Sequence, residues 1–164
     1  IGAGGIGFDV AVWLLEKTSR STLEPAAFDR HWGISREASV AGGLSPDGME
    51  KPHGIIQITM LKRSATPFGS TLGRTTGWVH RAELQRNGVR MLKGVEYRKI
   101  DDVGVHILMD GSESVLPADT VVLCAGQEPK RELETTHRIG GAKEAGELDA
   151  KRAMLEGAEL AARL

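Results

Sequence analysis

The residues best suited to chemistry open the chain. Gly2-x-Gly4-x-x-Gly7 has the spacing of a phosphate-cradling turn. Its first glycine permits a tight bend, its second lets the backbone approach a pyrophosphate, and its third lets the following helix lie close to a sheet. Gly5 stands where that helix begins, so free amides at its N-terminus would face phosphate oxygens. On its own the motif is weak, because any glycine-rich turn can match it; its weight comes from the elements around it. A second basic group, Lys62-Arg63-Ser64, stands at the end of a candidate strand. Enzymes that select an unphosphorylated ribose place Asp or Glu there. A carboxylate would repel a 2′-phosphate, whereas Arg offers a planar fork and Lys a point charge. The position favours NADPH, with a solvated basic strand end as the alternative.

Other reactive side chains form no constellation. Cys124 ends a buried-looking strand and reads as a small core residue rather than a nucleophile. The five histidines are scattered without metal-ligand spacing. Glu144, Glu147 and Asp149 lie near the start of a candidate helix, where acids serve the helix dipole. No catalytic acid or base stands out, as expected of a domain that holds a cofactor.

The elements needed to position these groups follow in order. Ile6, Val10, Trp13 and Leu14 recur at helical spacing and predict a helix from Gly5 to about Lys17, with those four on its buried face. A Gly/Ser/Pro-rich connection over 18–52 separates the two candidate sites; it reads as a lid, a docking surface or a benign insertion, with a short helix at Pro25–Trp32. Ile55 to Leu61 and Thr120 to Gly126 predict buried parallel strands. Between them come a helix from Thr75-Thr76 to about Asn87, a short strand Val89–Leu92, and a meander whose tightest turn is Asp110-Gly111. A helical segment after Lys130 then runs directly into a strand-like stub, and a last helix covers Ala145 to about Arg163 with Leu148, Leu155 and Ala162 on one face. The expected fold is α/β: a Rossmann-like dinucleotide-binding domain whose parallel sheet carries a small antiparallel meander.

Composition narrows the partners. The 164 residues carry 21 Lys and Arg against 22 Asp and Glu, a formal charge of -1, which argues against nucleic acid. No apolar run reaches the roughly 18 residues of a membrane span, and no charged n-region precedes an apolar core. One cysteine fits a reducing, cytoplasmic setting. Glycine, at 21 residues, exceeds its usual share of about 7% and falls at element junctions. The chain starts almost at its glycine turn, with only Ile1 left of the strand such a turn requires, and the abrupt joint after Thr136 suggests absent residues; the mass of the intact polypeptide tests both expectations.

Several longer segments then carry a resemblance. GAGGIGFD at the start, GGLS at Gly42–Ser45, LGRTTGWVHR at Leu72–Arg81, YRKIDDVGVHI at Tyr97–Ile107, CAGQEP at Cys124–Pro129 and IGGAKEAGELDAKRA at Ile139–Ala153 together resemble the C-terminal part of the bacterial NADPH-dependent 2,4-dienoyl-CoA reductases. The resemblance covers nearly the whole chain. It implies a parent flavoprotein in which a TIM barrel carries FMN and the acyl-CoA site, a 4Fe-4S cluster sits beside it, and a portion similar to glutathione reductase binds FAD and NADPH. By that likeness residues 1–136 form the NADPH domain and 137–164 return to the FAD domain. Gly2, Gly4, Gly5 and Gly7 would hold the pyrophosphate, Lys62 and Arg63 the 2′-phosphate, and Gly126 the sheet edge beside the cofactor. Gly141, Ala142, Leu148 and Asp149 would lie near the flavin, although Gly141-Ala142 lacks the ribityl-binding Asp of the glutathione reductase pattern. Substrate reduction itself would occur outside this chain. The rival expectations are a related flavoprotein amine dehydrogenase and a non-enzymatic nucleotide-binding module.

Overall fold

The computed structural model describes residues 1–18, 24–50, 56–146 and 150–164. The chain divides into two compact units, Ile1–Cys124 and Ala125–Leu164. Among the described residues, no helix is long and apolar enough to cross a membrane.

In the first unit, α1 (Gly5–Thr18) and α2 (Pro25–Trp32) precede β1 (Thr59–Lys62), α3 (Gly77–Arg86) and β2 (Arg90–Lys93). β1 and β2 pair in parallel, from Thr59 against Arg90 to Lys62 against Lys93, with α3 as the crossover such a pair requires. The opposite edge of β1 continues the sheet through single residues. Gly2 N–H donates to Leu61 O at 2.9 Å, the Ile1 nitrogen donates to Val122 O at 2.7 Å, and Cys124 N–H donates to Ile1 O at 2.7 Å. The resulting order is β2, β1, Ile1–Gly2, Val122–Cys124. In chain order this is 3-2-1-4, the first half of the doubly wound dinucleotide-binding sheet.

The meander is β3 (Glu96–Asp101), β4 (Gly104–Met109) and β5 (Ser112–Leu116), antiparallel throughout. Asp110 and Gly111 both take positive φ, 51° and 77°, as a two-residue type I′ hairpin turn demands. Alternation along β1 sends consecutive residues into different cores. Met60 joins Phe8, Ala11, Leu15, Phe68, Leu84 and Val89 under α1 and α3. Leu61 joins Val95, Val105 and Ile107 under the meander.

Five expectations need correction. α1 forms where predicted but buries Phe8, Ala11 and Leu15, leaving Ile6 and Trp13 about half exposed. Its sequence is apolar nearly all round, so periodicity could not choose the face; Gly7, pressed against Gly2, does. β1 starts at Thr59, not Ile55, a residue outside the described set. The segment 120–126 is not a buried strand: among the described residues its backbone bonds run to Ile1, and Leu123 stays 68% exposed. The last helix, α4, runs only over Ala150–Ala161 and leaves Leu155 exposed, while Leu148 falls outside the described residues. No helix forms at 131–136.

Within the connection, α2 begins with Pro at its first turn and ends on Gly33 in the left-handed conformation. An antiparallel bridge joins Ile34 and Leu44, and the Arg36 guanidinium is bidentate on Asp29 at 2.5 and 2.9 Å. Arg86 of α3 closes the loop from outside. It donates to His31 O and to Glu50 O and lies over the Trp32 ring. The stretch 24–50 is thus folded onto α3.

The second unit contains α4 and a one-turn helix at Gly140–Ala142. Glu156 of α4 accepts Gly140 N–H at 2.7 Å, while Arg131 donates to Ala142 O at 3.1 Å and to Lys143 O at 2.8 Å.

Candidate functional site

The glycine turn has the geometry its spacing predicts. Gly2 has φ of 100°, and a Cβ built on Gly7 would lie 2.2 Å from Gly2 O. No side chain fits at Gly7, so α1 starts directly against the turn. Gly4 and Gly5 differ: a Cβ on either would meet nothing within 4 Å. Packing inside the chain therefore does not explain those two glycines, and the open side is where a ligand's backbone could approach. The first helical bond of α1 runs from Phe8 N–H to Gly4 O at 3.1 Å. The amides of Gly5, Ile6 and Gly7 consequently have no acceptor within the helix and point out of its N-terminus.

Lys62 and Arg63 lie at the carboxyl end of β1, the end at which such sheets bind ligands. Lys62 Nζ donates to Thr66 Oγ1 at 2.8 Å and to Pro67 O at 3.1 Å, and sits over the Phe68 ring. Burial, with Lys93 paired across the sheet, holds the Lys62 ammonium below the usual lysine range. Arg63 is exposed, and no ion pair to it occurs among the described residues. It lies near Tyr97, whose hydroxyl is pushed up by burial and drawn partly back by Arg63. No carboxylate occupies the strand end. Ser64 and Thr66, whose hydroxyls are 2.8 Å apart, complete the turn. Their Ser-x-Thr spacing is a local hydrogen-bonding signal that a search for charged ligands passes over.

Cys124 borders the same turn, 3.8 Å from where a Gly7 Cβ would stand. A cleft of about 670 Å³ begins beside it. Its walls are 56–61 and 116–122, with Val10, Ala11 and Leu14 on one side and Val105 on another. Among the described residues no group of three or more His, Cys, Asp or Glu is placed to hold a metal ion. In the second unit, Gly126 takes φ of 97° with open space around it, Gly141 is half-buried and Ala142 is exposed. Leu148 and Asp149 lie outside the described residues.

Residues 1–154 match the family model of the pyridine nucleotide-disulphide oxidoreductases. The chain belongs to that family. Its glycine turn, sheet order and meander make this member an NAD(P)-binding oxidoreductase domain with a Rossmann-like sheet. A curated relative, a metal reductase of Desulforamulus reducens, is 35% identical over 80 residues, or 49% of this chain and 12% of that protein. The match thus spans about an eighth of that relative. Among solved structures, a 2-naphthoyl-CoA reductase in complex with 2-naphthoyl-CoA superposes with a TM-score of 0.52 at 22% identity. That superposition covers 62% of this chain and 16% of the reductase, and it shows a shared fold.

Proposed function

We propose that this oxidoreductase domain binds NADPH within a larger flavoprotein that reduces 2,4-dienoyl-CoA thioesters in the breakdown of unsaturated fatty acids. The observation that carries the nucleotide choice is the exit of β1, where Arg63 stands exposed and no carboxylate is present. The open faces of Gly4 and Gly5 and the unclaimed amides of α1 fit a pyrophosphate. Arg63 and Lys62 supply positive charge for the 2′-phosphate, and by the resemblance Gly126 would serve the cofactor as well. Bound NADPH would supply hydride. This chain's residues bind and orient it, and they leave the reduction of substrate to other domains.

The reading of the longer protein rests on the quoted segments. Residues 137–164 would return to an FAD domain, with Gly141, Ala142, Leu148 and Asp149 beside the flavin. FMN and a 4Fe-4S cluster would belong to other domains, since four thiolates cannot come from a chain with one cysteine. The acyl-CoA site would likewise lie outside.

Calorimetric titration with NADPH and NADH side by side tests the proposal. A preference of at least about tenfold for NADPH, or 1.4 kcal/mol, is expected. Replacing Arg63 by alanine should cost about 1.5–3 kcal/mol in NADPH binding, as for hydrogen bonds to charged groups, with little change for NADH. Equal losses for both nucleotides would remove Arg63 from the 2′-phosphate. A full-length reading frame without further cysteines would remove the iron-sulfur parent.

A further inference from the structure

Lys62 and Arg63 are adjacent in sequence, yet their surroundings assign them different work. The Lys62 ammonium already has two oxygen partners, Thr66 Oγ1 at 2.8 Å and Pro67 O at 3.1 Å, so two of its three donors are engaged. It lies 5.3 Å from the centroid of Phe68, whose ring is buried in the core under α1 and α3. Thr66 is itself tied back, through its amide on Ser64 Oγ at 3.1 Å. The base of the turn is also fixed. Gly94 N–H donates to Ser64 O at 3.3 Å, and Val95 N–H donates to Lys62 O at 3.1 Å. Lys62 therefore spans a closed loop of contacts.

Arg63 is different. It directly follows β1 and lies near Tyr97, and its guanidinium forms no ion pair among the described residues. A side chain meant to take a phosphate should be accessible and unspent; Arg63 is both.

We infer that Lys62 is a positioning residue: it holds the Ser64–Phe68 turn in place so that Arg63 meets the 2′-phosphate, and it does not touch the phosphate itself. This rests on the NADPH reading above and divides its basic pair into a ligand and a brace. Two arrangements compete. A brace acts through the turn and needs Thr66; a ligand acts through its charge and does not.

The test compares NADPH and NADH affinity in the full chain for K62M, T66V, R63A and the K62M/R63A pair. If Lys62 is a brace, K62M and T66V should each lower the NADPH preference by a similar, modest factor, about threefold to tenfold. K62M should then add nothing in the R63A background, because coupling through a shared partner is non-additive. Amide exchange at Thr66 and Gly94, measured without nucleotide, should quicken in both K62M and T66V; this readout reports the turn independently of binding, and melting curves confirm folding. A K62M loss that persists in the R63A background, with T66V unchanged or improved, would make Lys62 a direct ligand and overturn the inference while leaving the NADPH reading intact. No effect of K62M or T66V on preference would also overturn it. An R63A chain that keeps its full NADPH preference would overturn the nucleotide reading and this inference together.

Discussion

The two units of the chain are held together by different physics. In Ile1–Cys124, apolar side chains from Phe8 to Ile107 are buried on both faces of a short parallel sheet. In Ala125–Leu164 several large apolar side chains are exposed, Leu133 at 77%, Met154 at 66% and Leu155 at 60%. What orders the second unit is polar: Glu156 on Gly140, and Arg131 on Ala142 and Lys143. Burial contributes about 25 cal/mol per Å² and sets position by close packing, whereas exposed ion pairs contribute roughly 0–1 kcal/mol and set geometry only locally. The first unit thus carries the stability that keeps its glycine turn in shape. The second carries a locally shaped turn with little core of its own.

The largest effect should come from the buried side of this contrast. Leu84 of α3 is fully buried beside Phe8 and Phe68. Leu84→Ala should cost about 2–5 kcal/mol, the sum of lost transfer energy and residual cavity. Urea unfolding followed by tryptophan fluorescence would measure it. A loss below about 1 kcal/mol, the level of a surface substitution, would mean that this core is not what holds the unit.

How far these cores could be read from sequence depends on the signal used. Pro25 and Gly33 bracket α2, and Asp110-Gly111 marks the hairpin, because each residue type matches a backbone need that no distant contact alters. The rotation of α1 was legible too, though in Gly7 rather than in its hydrophobic pattern. A residue that cannot carry a Cβ must face the strand, and Phe8, Ala11 and Leu15 follow from that contact. The segment 120–126 misleads because an apolar run shows capacity for burial, while burial itself requires neighbours; Val121 finds them under the meander, but Val122 and Leu123 stay exposed. At the candidate site, the glycines and Arg63 were visible as residue types. The engagement of Lys62 was not, since it depends on Thr66 and Pro67 folding back over Phe68.

A smaller effect should come from the polar unit. The Glu156 side chain is 16% exposed, accepts Gly140 N–H, and has Lys143 at 3.9 Å and Arg152 at 3.6 Å. Glu156→Ala should free the Gly140 amide and cost about 1–2 kcal/mol locally, toward the low end for hydrogen bonds to charged groups. Glu156→Gln keeps an acceptor and should lose less. Hydrogen exchange at residues 140–144 would show both changes. Equal protection in the two variants would place the order of this turn elsewhere than in Glu156.

The smallest effect tests whether exposed charge matters even on the well-packed unit. Asp101 ends β3 and receives hydrogen bonds from Lys99 and from His106, with a third from Val103 N–H at 3.1 Å. Those bonds, Lys99 first, hold its carboxyl well below the usual range. The folded state therefore binds this proton more weakly than the unfolded state, whose Asp titrates near about 3.9. The stabilisation is complete above that value and is lost as pH falls from there toward the lower folded value. Asp101→Asn should accordingly lower the melting temperature slightly at neutral pH, and the difference from the parent chain should shrink progressively below about pH 4. A difference that stays constant with pH would show that the cluster acts through neutral hydrogen bonds alone. The contrast between the units would then sharpen, because exposed charge would count for nothing where a packed core already sets the position of every strand.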